Sequence, residues 1–335
     1  MLNTQYVILS LMKFLITGGC GFIGSNFIHF LLENSPEDEV VNFDALTYAG
    51  NPANVAMWEG DPHYTFIHGD ICDREAVRKA MEDVDSVVHF AAESHVDRSI
   101  ENAGVFVKTN VLGTHTLLEA AREAGVKRFH HISTDEVFGA LRPGDPAFDE
   151  TTPYVPRSPY AASKAGADHL VRAYRETHGM PITISNCSNN YGPYHYPEKL
   201  IPLAITNILE GRNVPVYGEG KQIRDWLYVE DHCRAIDAII RRGREGETYC
   251  IGGDNQPTNL EIVKMLLKLL GADESRIEFV ADRPGHDFRY DIDSSKIQNE
   301  LGWKQTVSLE EGLEKTVSWF RENEVWWKPL KKKGE

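Results

Sequence analysis

Cysteine is scarce in this chain, with only five widely scattered residues in 335. No C-x-x-C pair occurs and the total is odd, so the sequence indicates neither a zinc site nor a disulfide framework. We therefore expect no metal and a reducing, cytoplasmic environment. Long hydrophobic runs are also missing, since no segment reaches the roughly 18 uncharged apolar residues that span a bilayer. The apolar start, MLNTQYVILS, lacks a basic region and a cleavage site; we expect no signal peptide, and we predict that residues 1–12 are extra to the fold.

Positive charge is also in short supply. Lys and Arg number 35 against 50 Asp and Glu, which gives a net charge of −15. Such a surface repels nucleic-acid phosphates and anionic membranes, so neither is an expected partner. A small anionic ligand would need a local basic pocket. Apolar residues at 41% and charged residues at 25% are typical of a globular protein and argue against disordered, collagen-like or coiled-coil chains.

Short β-branched or aromatic runs alternate with helical patterns through the first half of the chain. The runs predict strands at 13–17, 40–44, 64–68, 86–90, 129–133 and 182–186. Apolar residues spaced near 3.6 lie between them and predict crossover helices. This alternation predicts an α/β fold with a doubly wound parallel sheet of the Rossmann type.

The length predicts two domains, since domains cluster near about 100 to 200 residues. After about residue 190 the pattern changes to Pro- and Gly-punctuated stretches, with helices predicted at 200–209, 259–270 and 309–321. We predict a nucleotide-binding domain at 13–190 and a smaller α+β substrate domain at 191–330. Residues 226–252 read strand, helix, strand, and we expect them to return to the first domain. The closing KPLKKKGE is expected to be a solvated, frayed basic tail.

A glycine-rich segment, GGCGFIG, follows the first predicted strand at positions 18–24. Glycines allow a tight turn and bring backbone N–H groups and a helix N-terminus against a pyrophosphate. Alone the motif is weak, because a glycine-rich turn at a strand end is common. Its context strengthens it, since Asp44 ends the second strand twenty residues beyond Gly24. An acid there accepts hydrogen bonds from ribose hydroxyls and repels a 2′-phosphate, so NAD is favoured over NADP.

Two further strand ends carry candidate cofactor residues. Asp70 follows the third strand, where it could meet the adenine edge or cap the helix that starts near Arg74. Ala91, Ala92 and Ser94 follow the fourth strand, where small residues leave room for a cofactor or simply pack closely.

Tyr160 and Lys164 form a Y-x-x-x-K pair on a predicted helix. The spacing places phenol and ammonium one turn apart on one face. A phenol is a poor base at neutral pH, but a nearby ammonium and a positively charged nicotinamide favour the phenolate. Such pairs are common on amphipathic helices, and only the upstream nucleotide motif makes Tyr160 a candidate base that takes a proton from an alcohol.

These residues carry a family resemblance. The segments TGGCGFIG (17–24), STDEVFG (133–139) and SPYAASKA (158–165) resemble the extended short-chain dehydrogenase/reductase family, in its nucleotide-sugar branch. The similarity is strongest to members that dehydrate sugars carried on thymidine diphosphate, and it continues through NNYGPYHYPEKLIP (189–202), RDWLYVEDH (224–232) and DRPGHDFRY (282–290). It implies bound NAD, dTDP-glucose as substrate, dTDP-4-keto-6-deoxyglucose as product, and a homodimer paired through helices at 102–124 and 158–178.

The acid pair Asp135-Glu136 after Thr134 is the most informative part of this resemblance. Related epimerases and simple dehydrogenases lack it, because their reactions include no elimination. Oxidation at C4 acidifies the C5 proton, so we predict Glu136 as the base that removes it. Hydroxide is a poor leaving group, so Asp135 is predicted to protonate the C6 oxygen, held protonated by repulsion from its neighbour. Thr134 is predicted to hydrogen-bond the C4 oxygen.

The resemblance also implies the residues that surround these groups. Those expected around NAD are Gly18, Gly21, Phe22, Ile23, Gly24, Asp44, Leu46, Thr47, Asp70, Ile71, Ala91, Ala92, Ser94, Thr109, Tyr160, Lys164 and Asn190. Those expected around the nucleotide sugar are Ser94, Thr134, Asn189, Lys199, Leu200, Pro215, Tyr217, Arg224, Asn259, His286 and Arg289. Arg224 is the best candidate for a phosphate clamp, since its guanidinium is planar and always charged.

Other functions fit parts of the same pattern. A 4,6-dehydratase of UDP-glucose or GDP-mannose would use the same fold, and thymine differs from uracil by one methyl group. A nucleotide-sugar 4-epimerase would not need the acid pair. A non-catalytic NAD-binding protein would need none of the five residues Thr134, Asp135, Glu136, Tyr160 and Lys164.

Overall fold

A seven-stranded parallel sheet organises the chain in the computed structural model, which describes residues 11–282 and 285–334, with side chains up to residue 331. The predicted extra segment therefore lies, up to residue 10, outside the described residues. The strands are β1 (Lys13–Thr17), β2 (Glu39–Asp44), β3 (Tyr64–His68), β4 (Ser86–His89), β5 (Arg128–Thr134), β6 (Ile182–Cys187), β7 (Asn189–Tyr191), β8 (Val214–Tyr217), β9 (Trp226–Tyr228), β10 (Thr248–Ile251) and β11 (Ile277–Val280). The sheet order β10-β6-β5-β4-β1-β2-β3 confirms the predicted doubly wound α/β fold.

Within the described ranges, twelve α-helices accompany these strands. They are α1 (Phe22–Asn34), α2 (Arg74–Ala80), α3 (Val96–Glu101), α4 (Ala103–Phe106), α5 (Thr114–Ala124), α6 (Pro159–His178), α7 (Leu200–Leu209), α8 (Val229–Arg242), α9 (Asn259–Leu270), α10 (Ser295–Leu301), α11 (Leu309–Glu322) and α12 (Glu324–Gly334). None of the helices in the described part of the chain is long and apolar enough to cross a membrane.

The two faces of the sheet are both buried, as expected for parallel strands. Successive residues of a strand point to opposite faces, so Leu15 packs in the core beneath α2, α5 and α6, while Phe14 and Ile16 pack in the core beneath α1 and α8. The carboxyl ends of all seven strands lie at one edge of the sheet, which is where such folds place their ligands.

A second apolar core lies beyond β6. It is formed by α7, α9, α11 and α12 with two small parallel sheets, β7 with β9 and β8 with β11. Residues 226–252 supply β10, which pairs with β6 at the edge of the main sheet, and α8, which packs on α1. The division into two domains at about residue 190 stays a prediction.

Two predicted features differ from the structure. The basic tail is not frayed where it is described, because α12 continues through it: Trp327 is fully buried and Lys331 forms an ion pair with Glu210. The predicted helix at 102–124 is divided, since a π-helical segment (Val107–Gly113) separates α4 from α5. Its wider turns place Asn110 in the interior, where the side chain bonds Glu93 and Ser163.

Candidate active site

A cavity of about 630 Å³ opens at the carboxyl ends of the sheet strands. This volume is in the range of small-molecule sites. The predicted residues that line it are Gly18, Gly21, Phe22, Ile23, Gly24, Asp44, Thr47, Asp70, Ile71, Ala91, Ala92, Ser94, Thr109, Thr134, Asp135, Glu136, Tyr160, Lys164, Asn189, Asn190, Lys199, Leu200, Pro215, Tyr217, Arg224, Asn259 and His286. The structure therefore brings almost the whole predicted set together.

The glycine loop between β1 and α1 forms a cradle that has room for backbone only. Gly18 has φ +73°, and a Cβ there would lie 2.7 Å from the Ala91 nitrogen. Gly21 caps α1 without any side-chain hydrogen bond, so the first N–H groups of the helix are not covered by a capping side chain. These residues fit the pyrophosphate of a dinucleotide, because N–H groups at a helix start attract anions.

Asp44 ends β2 at the rim of this cradle. Its Oδ2 accepts a hydrogen bond of 2.9 Å from the Cys20 amide, and its Oδ1 accepts one of 2.7 Å from the Leu46 amide. The carboxylate is thereby fixed towards the cavity, as a ribose-binding acid requires. Asp70 also lines the cavity, and the alternative that it caps α2 is wrong, since Asp73 caps that helix.

The acid pair lies where β5 ends and a short 3₁₀ helix (Asp135–Phe138) begins. Thr134 caps this helix by accepting a hydrogen bond of 3.2 Å from the Glu136 amide, and its hydroxyl lies 3.3 Å from Asp135 Oδ1. The turn directs both acids into the cavity. One threonine thus fixes the backbone of the pair and contacts the first carboxyl group.

Asp135 is 2% exposed and has an unusual electrostatic environment. Burial raises the pKa of its carboxyl group well above the usual range, and the charges of Glu136 and Asp225 raise it further, while Arg224 opposes them. Its Oδ2 has no hydrogen-bond partner among the described residues. This setting favours the protonated form of the carboxyl group, which can donate its proton to a ligand.

Tyr160 and Lys164 lie on one face of α6, which begins after the capping residue Ser158. Burial raises the pKa of Tyr160 well above its usual value, and Glu136 raises it further, while the Thr134 hydroxyl lowers it. Burial lowers the pKa of Lys164 to about 8. The Lys164 ammonium donates a hydrogen bond of 2.7 Å to the Ile132 carbonyl, so its position is set by β5. The chain alone therefore favours the neutral phenol, and the positive charge of a bound cofactor would favour the phenolate.

The far end of the cavity carries the predicted substrate residues. Arg224 is held by the Ile223 carbonyl at 2.7 Å and the Asp287 carbonyl at 2.9 Å, and its guanidinium stacks 4.3 Å over the Tyr290 ring. The amide oxygens Oδ1 of Asn189 and Asn259 are buried without partners in the described part of the chain. Because buried polar atoms are normally paired, these two oxygens indicate places where a polar ligand binds.

Two predicted site residues do not line the cavity. Leu46 has φ +49° and turns its side chain to the core beneath α1, while its amide supports Asp44. Arg289 bonds the Asp145 carbonyl at 2.9 Å and the carboxylate of Asp291. The sequence could not show the contact with Asp145, because Asp145 is far from Arg289 in the chain.

The structure also adds residues that the sequence analysis missed. Cys187 ends β6 beside the acid pair, and it could have been found because the ends of neighbouring parallel strands meet at one edge. Tyr290 and Glu198 also line the cavity. Glu198 accepts a hydrogen bond of 2.9 Å from Tyr48, an arrangement between distant segments that no local pattern signals.

Comparison with known proteins agrees with this site. Residues 15–316 match the family model described as GDP-mannose 4,6 dehydratase. The chain is 51% identical to the dTDP-glucose 4,6-dehydratase of Neisseria meningitidis serogroup B, over 94% of this chain and 95% of that protein. The residues matched by the family model include every residue that lines the cavity.

Solved structures give the same result. The dTDP-glucose 4,6-dehydratase DesIV of Streptomyces venezuelae, solved with NAD bound, is 52% identical and superposes with a TM-score of 0.93 over 95% of this chain and 100% of that chain. A UDP-glucose 4-epimerase from Thermotoga maritima is 30% identical, with a TM-score of 0.86 over 93% and 99% of the two chains. The chain is similar to dTDP-glucose 4,6-dehydratases over nearly its whole length. It therefore belongs to the nucleotide-sugar 4,6-dehydratase family.

Proposed function

We propose that the chain is an NAD-dependent hydro-lyase that converts dTDP-glucose to dTDP-4-keto-6-deoxyglucose. The observation that carries this proposal is the buried carboxyl group of Asp135 next to Glu136, in one cavity with Tyr160. A base that assists oxidation of an alcohol would by itself make a dehydrogenase. An additional acid and base beside it permit an elimination.

NAD bound in the glycine cradle would supply the acceptor for the C4 hydride of the glucose and the donor of the hydride to C6. The loop at Gly18 and the start of α1 would hold its pyrophosphate, and Asp44 would hold a ribose. Tyr160 takes the proton of the C4 hydroxyl, and the ammonium of Lys164 favours the phenolate that this step requires. Thr134 donates a hydrogen bond to the C4 oxygen.

The acid pair then removes water. Glu136 takes the C5 proton, which the C4 carbonyl has made acidic, and Asp135 gives its proton to the departing C6 oxygen. Glu136 returns its proton to C5 when the methyl group forms. Over one turnover Tyr160 gains one proton and Asp135 loses one, and the Thr134 hydroxyl interacts with both groups. Proton transfer from the phenol to the carboxylate, directly or through solvent, restores the starting state.

The nucleotide end of the substrate is assigned to Arg224, Asn259, His286 and the segment that contains Pro215 and Tyr217. Arg224 supplies the local positive charge that a diphosphate needs on this acidic protein. A 4-epimerase on the same fold needs no acid at position 135, so the acid pair favours the dehydratase. UDP-glucose is the main alternative substrate, because one methyl group separates the two bases.

We further infer a homodimer. Val105, Val107 and Leu112 are exposed apolar side chains on the helical segment that runs beside α6. Exposed apolar residues that lie together are typical of an interface, and a two-fold axis here would pair two helices from each copy. Sedimentation equilibrium tests this, since Leu112→Asp should give monomers where the unmodified chain gives dimers. The cytoplasmic location expected from the five unpaired cysteines stays a prediction.

The function is tested by incubating the purified chain with dTDP-glucose and following the alkali-induced absorbance of the keto product. UDP-glucose and GDP-mannose serve as parallel substrates, and Tyr160→Phe as the inactive enzyme. Turnover of dTDP-glucose with at least tenfold higher kcat/KM is expected. Faster turnover of UDP-glucose, or a product inverted at C4 with C6 still hydroxylated, would contradict the proposal.

A further inference from the structure

A row of buried polar side chains extends from Lys164 away from the cavity. Nζ of Lys164 lies 3.4 Å from Nε2 of His131. Nε2 of His131 in turn lies 3.2 Å from Oδ1 of Asp168. All three side chains are shielded from solvent, and His131 and Asp168 are fully buried. Lys164 and Asp168 are four residues apart on α6, so they share one face of the helix.

The second oxygen of Asp168, Oδ2, carries the hydrogen bonds that fix this carboxylate. Oδ2 accepts hydrogen bonds of 2.8 Å from the Ser133 hydroxyl and 2.7 Å from the Tyr154 hydroxyl. Arg172 in turn donates a hydrogen bond of 2.8 Å to the Tyr154 oxygen. A buried carboxylate with several donors keeps its negative charge, whereas an isolated one would take up a proton.

The charges of Lys164, His131 and Asp168 follow from their contacts. Burial alone would raise the pKa of Asp168, but the contact with the His131 ring, the charge of Lys164 and the hydrogen bond from Tyr154 hold that pKa below its usual value. Burial and the neighbouring Lys164 ammonium lower the pKa of His131 to about 4, so the ring is neutral near pH 7. The charged groups are therefore the ammonium and the carboxylate, with a neutral imidazole between them.

We propose that Asp168 is a positioning residue for the reaction, whose carboxylate, one turn along α6 and facing the same His131 nitrogen as Lys164, holds Lys164 in its charged form beside Tyr160. This inference rests on the proposed function, in which Tyr160 is the base and needs a cation nearby. A structural role alone would make Asp168 a support of α6, and no mechanism would require the negative charge to face Lys164.

The proposal makes the pH dependence of turnover specific. The titratable groups that face Lys164 are Asp168, His131, His89 and Cys187. Those around the carboxylate of Asp168 are His131, Tyr154 and Arg172. Asp168 raises the pKa of Lys164 against the effect of burial. Removal of its charge should let the ammonium lose its proton at lower pH, so the decline of kcat on the alkaline side should start earlier.

The experiment compares kcat against pH for wild type, Asp168→Asn and Tyr154→Phe, all with NAD and dTDP-glucose. Asp168→Asn should move the alkaline decline down by about one pH unit, as expected for loss of an opposite charge nearby, with KM changed less than kcat. Tyr154→Phe removes a hydrogen bond from the same carboxylate but keeps the charge, so its decline should stay near the wild-type pH. Asp168→Glu should restore part of the shift. Equal profiles for Asp168→Asn and wild type would overturn the proposal.

The same series of variants distinguishes a folding defect, a failure of the proposed function and a failure of the proposed role of Asp168. Thermal unfolding and NAD binding verify that each variant is folded. If Asp168→Asn does not fold, Asp168→Glu decides, because the longer side chain displaces the carboxylate and should start the decline of kcat below the wild-type onset of about pH 8. An unmoved decline in Asp168→Glu then overturns the proposal. Absence of wild-type turnover would overturn the proposed function itself, whereas wild-type turnover with an unmoved decline would overturn only the role of Asp168.

Discussion

The Thr134 hydroxyl lies 3.3 Å from Oδ1 of Asp135 and accepts a hydrogen bond from the Glu136 amide. One short side chain at the end of β5 therefore fixes the position of both acids. Because β5 is an interior strand with β6 and β4 on its two sides, the pair is attached to a strand that is hydrogen-bonded along both edges. This placement allows two adjacent residues to have opposite roles, one as acid and one as base.

Replacement of Tyr160 should abolish the first step and leave the cofactor in place. Tyr160→Phe keeps the ring but removes the hydroxyl, and general-base catalysis typically contributes about 10²–10⁴-fold. We expect kcat to fall by that range, with the NAD content of the purified protein unchanged. Near-normal turnover in this variant would remove Tyr160 from the mechanism.

Replacement of Asp135 and replacement of Glu136 should block different partial reactions. Asp135→Asn should let the reduced nicotinamide accumulate on addition of dTDP-glucose, because oxidation proceeds while loss of water slows by about a hundredfold or more. The C5 proton should still exchange with D₂O in this variant, since Glu136 is intact. Glu136→Gln is the matched control, in which the exchange should stop. Exchange that is lost in Asp135→Asn but retained in Glu136→Gln would reverse the two assignments.

Stability should depend on pH through Asp135. Its folded pKa is raised by burial and by Glu136, so the unfolded chain ionises first and folding loses stability as pH rises from the unfolded pKa towards the folded one. Asn cannot ionise, so the melting temperature of Asp135→Asn relative to wild type should increase as the pH is raised from the unfolded pKa of about 3.9 to neutrality. Glu314→Gln, at an exposed position, serves as control and should show no such trend. A constant difference across this range would contradict a protonated Asp135.

The choice of NAD should depend on Asp44. Its carboxylate is held by two backbone amides and faces the cavity. Asp44→Asn should weaken NAD binding by roughly tenfold, the effect of losing a charged hydrogen bond, and should improve binding of NADP relative to NAD. Fluorescence titration with both cofactors measures this ratio, with Asp70→Asn as the comparison. An unchanged ratio would show that Asp44 does not select the cofactor.

Local patterns in the sequence predicted much of the fold. The strand at 64–68 and the helices at 200–209 and 259–270 have their predicted bounds, because alternation, helical spacing and capping are properties of neighbouring residues. The basic tail was predicted wrongly, since its helix depends on the burial of Trp327 and on an ion pair with Glu210 in α7. Such contacts join distant segments and leave no local signal.

The site shows the same limit. Motifs at strand ends predicted the cradle and the acids, since the sheet topology alone brings those ends together. The roles of Leu46 and Arg289 depend on backbone direction and on remote partners, and Asp168 would have remained one of several polar residues on a helix. Its partners His131 and Tyr154 become visible only when β5 and α6 are packed together.

The central claim is that a temporary carbonyl at C4 makes elimination possible and that the same hydride ends at C6. The direct test uses dTDP-glucose that carries deuterium at C4, with the position of the label in the product read by NMR. The account predicts deuterium in the C6 methyl group of dTDP-4-keto-6-deoxyglucose. Deuterium that remains at C4, or a methyl group that contains only solvent hydrogen, would contradict it.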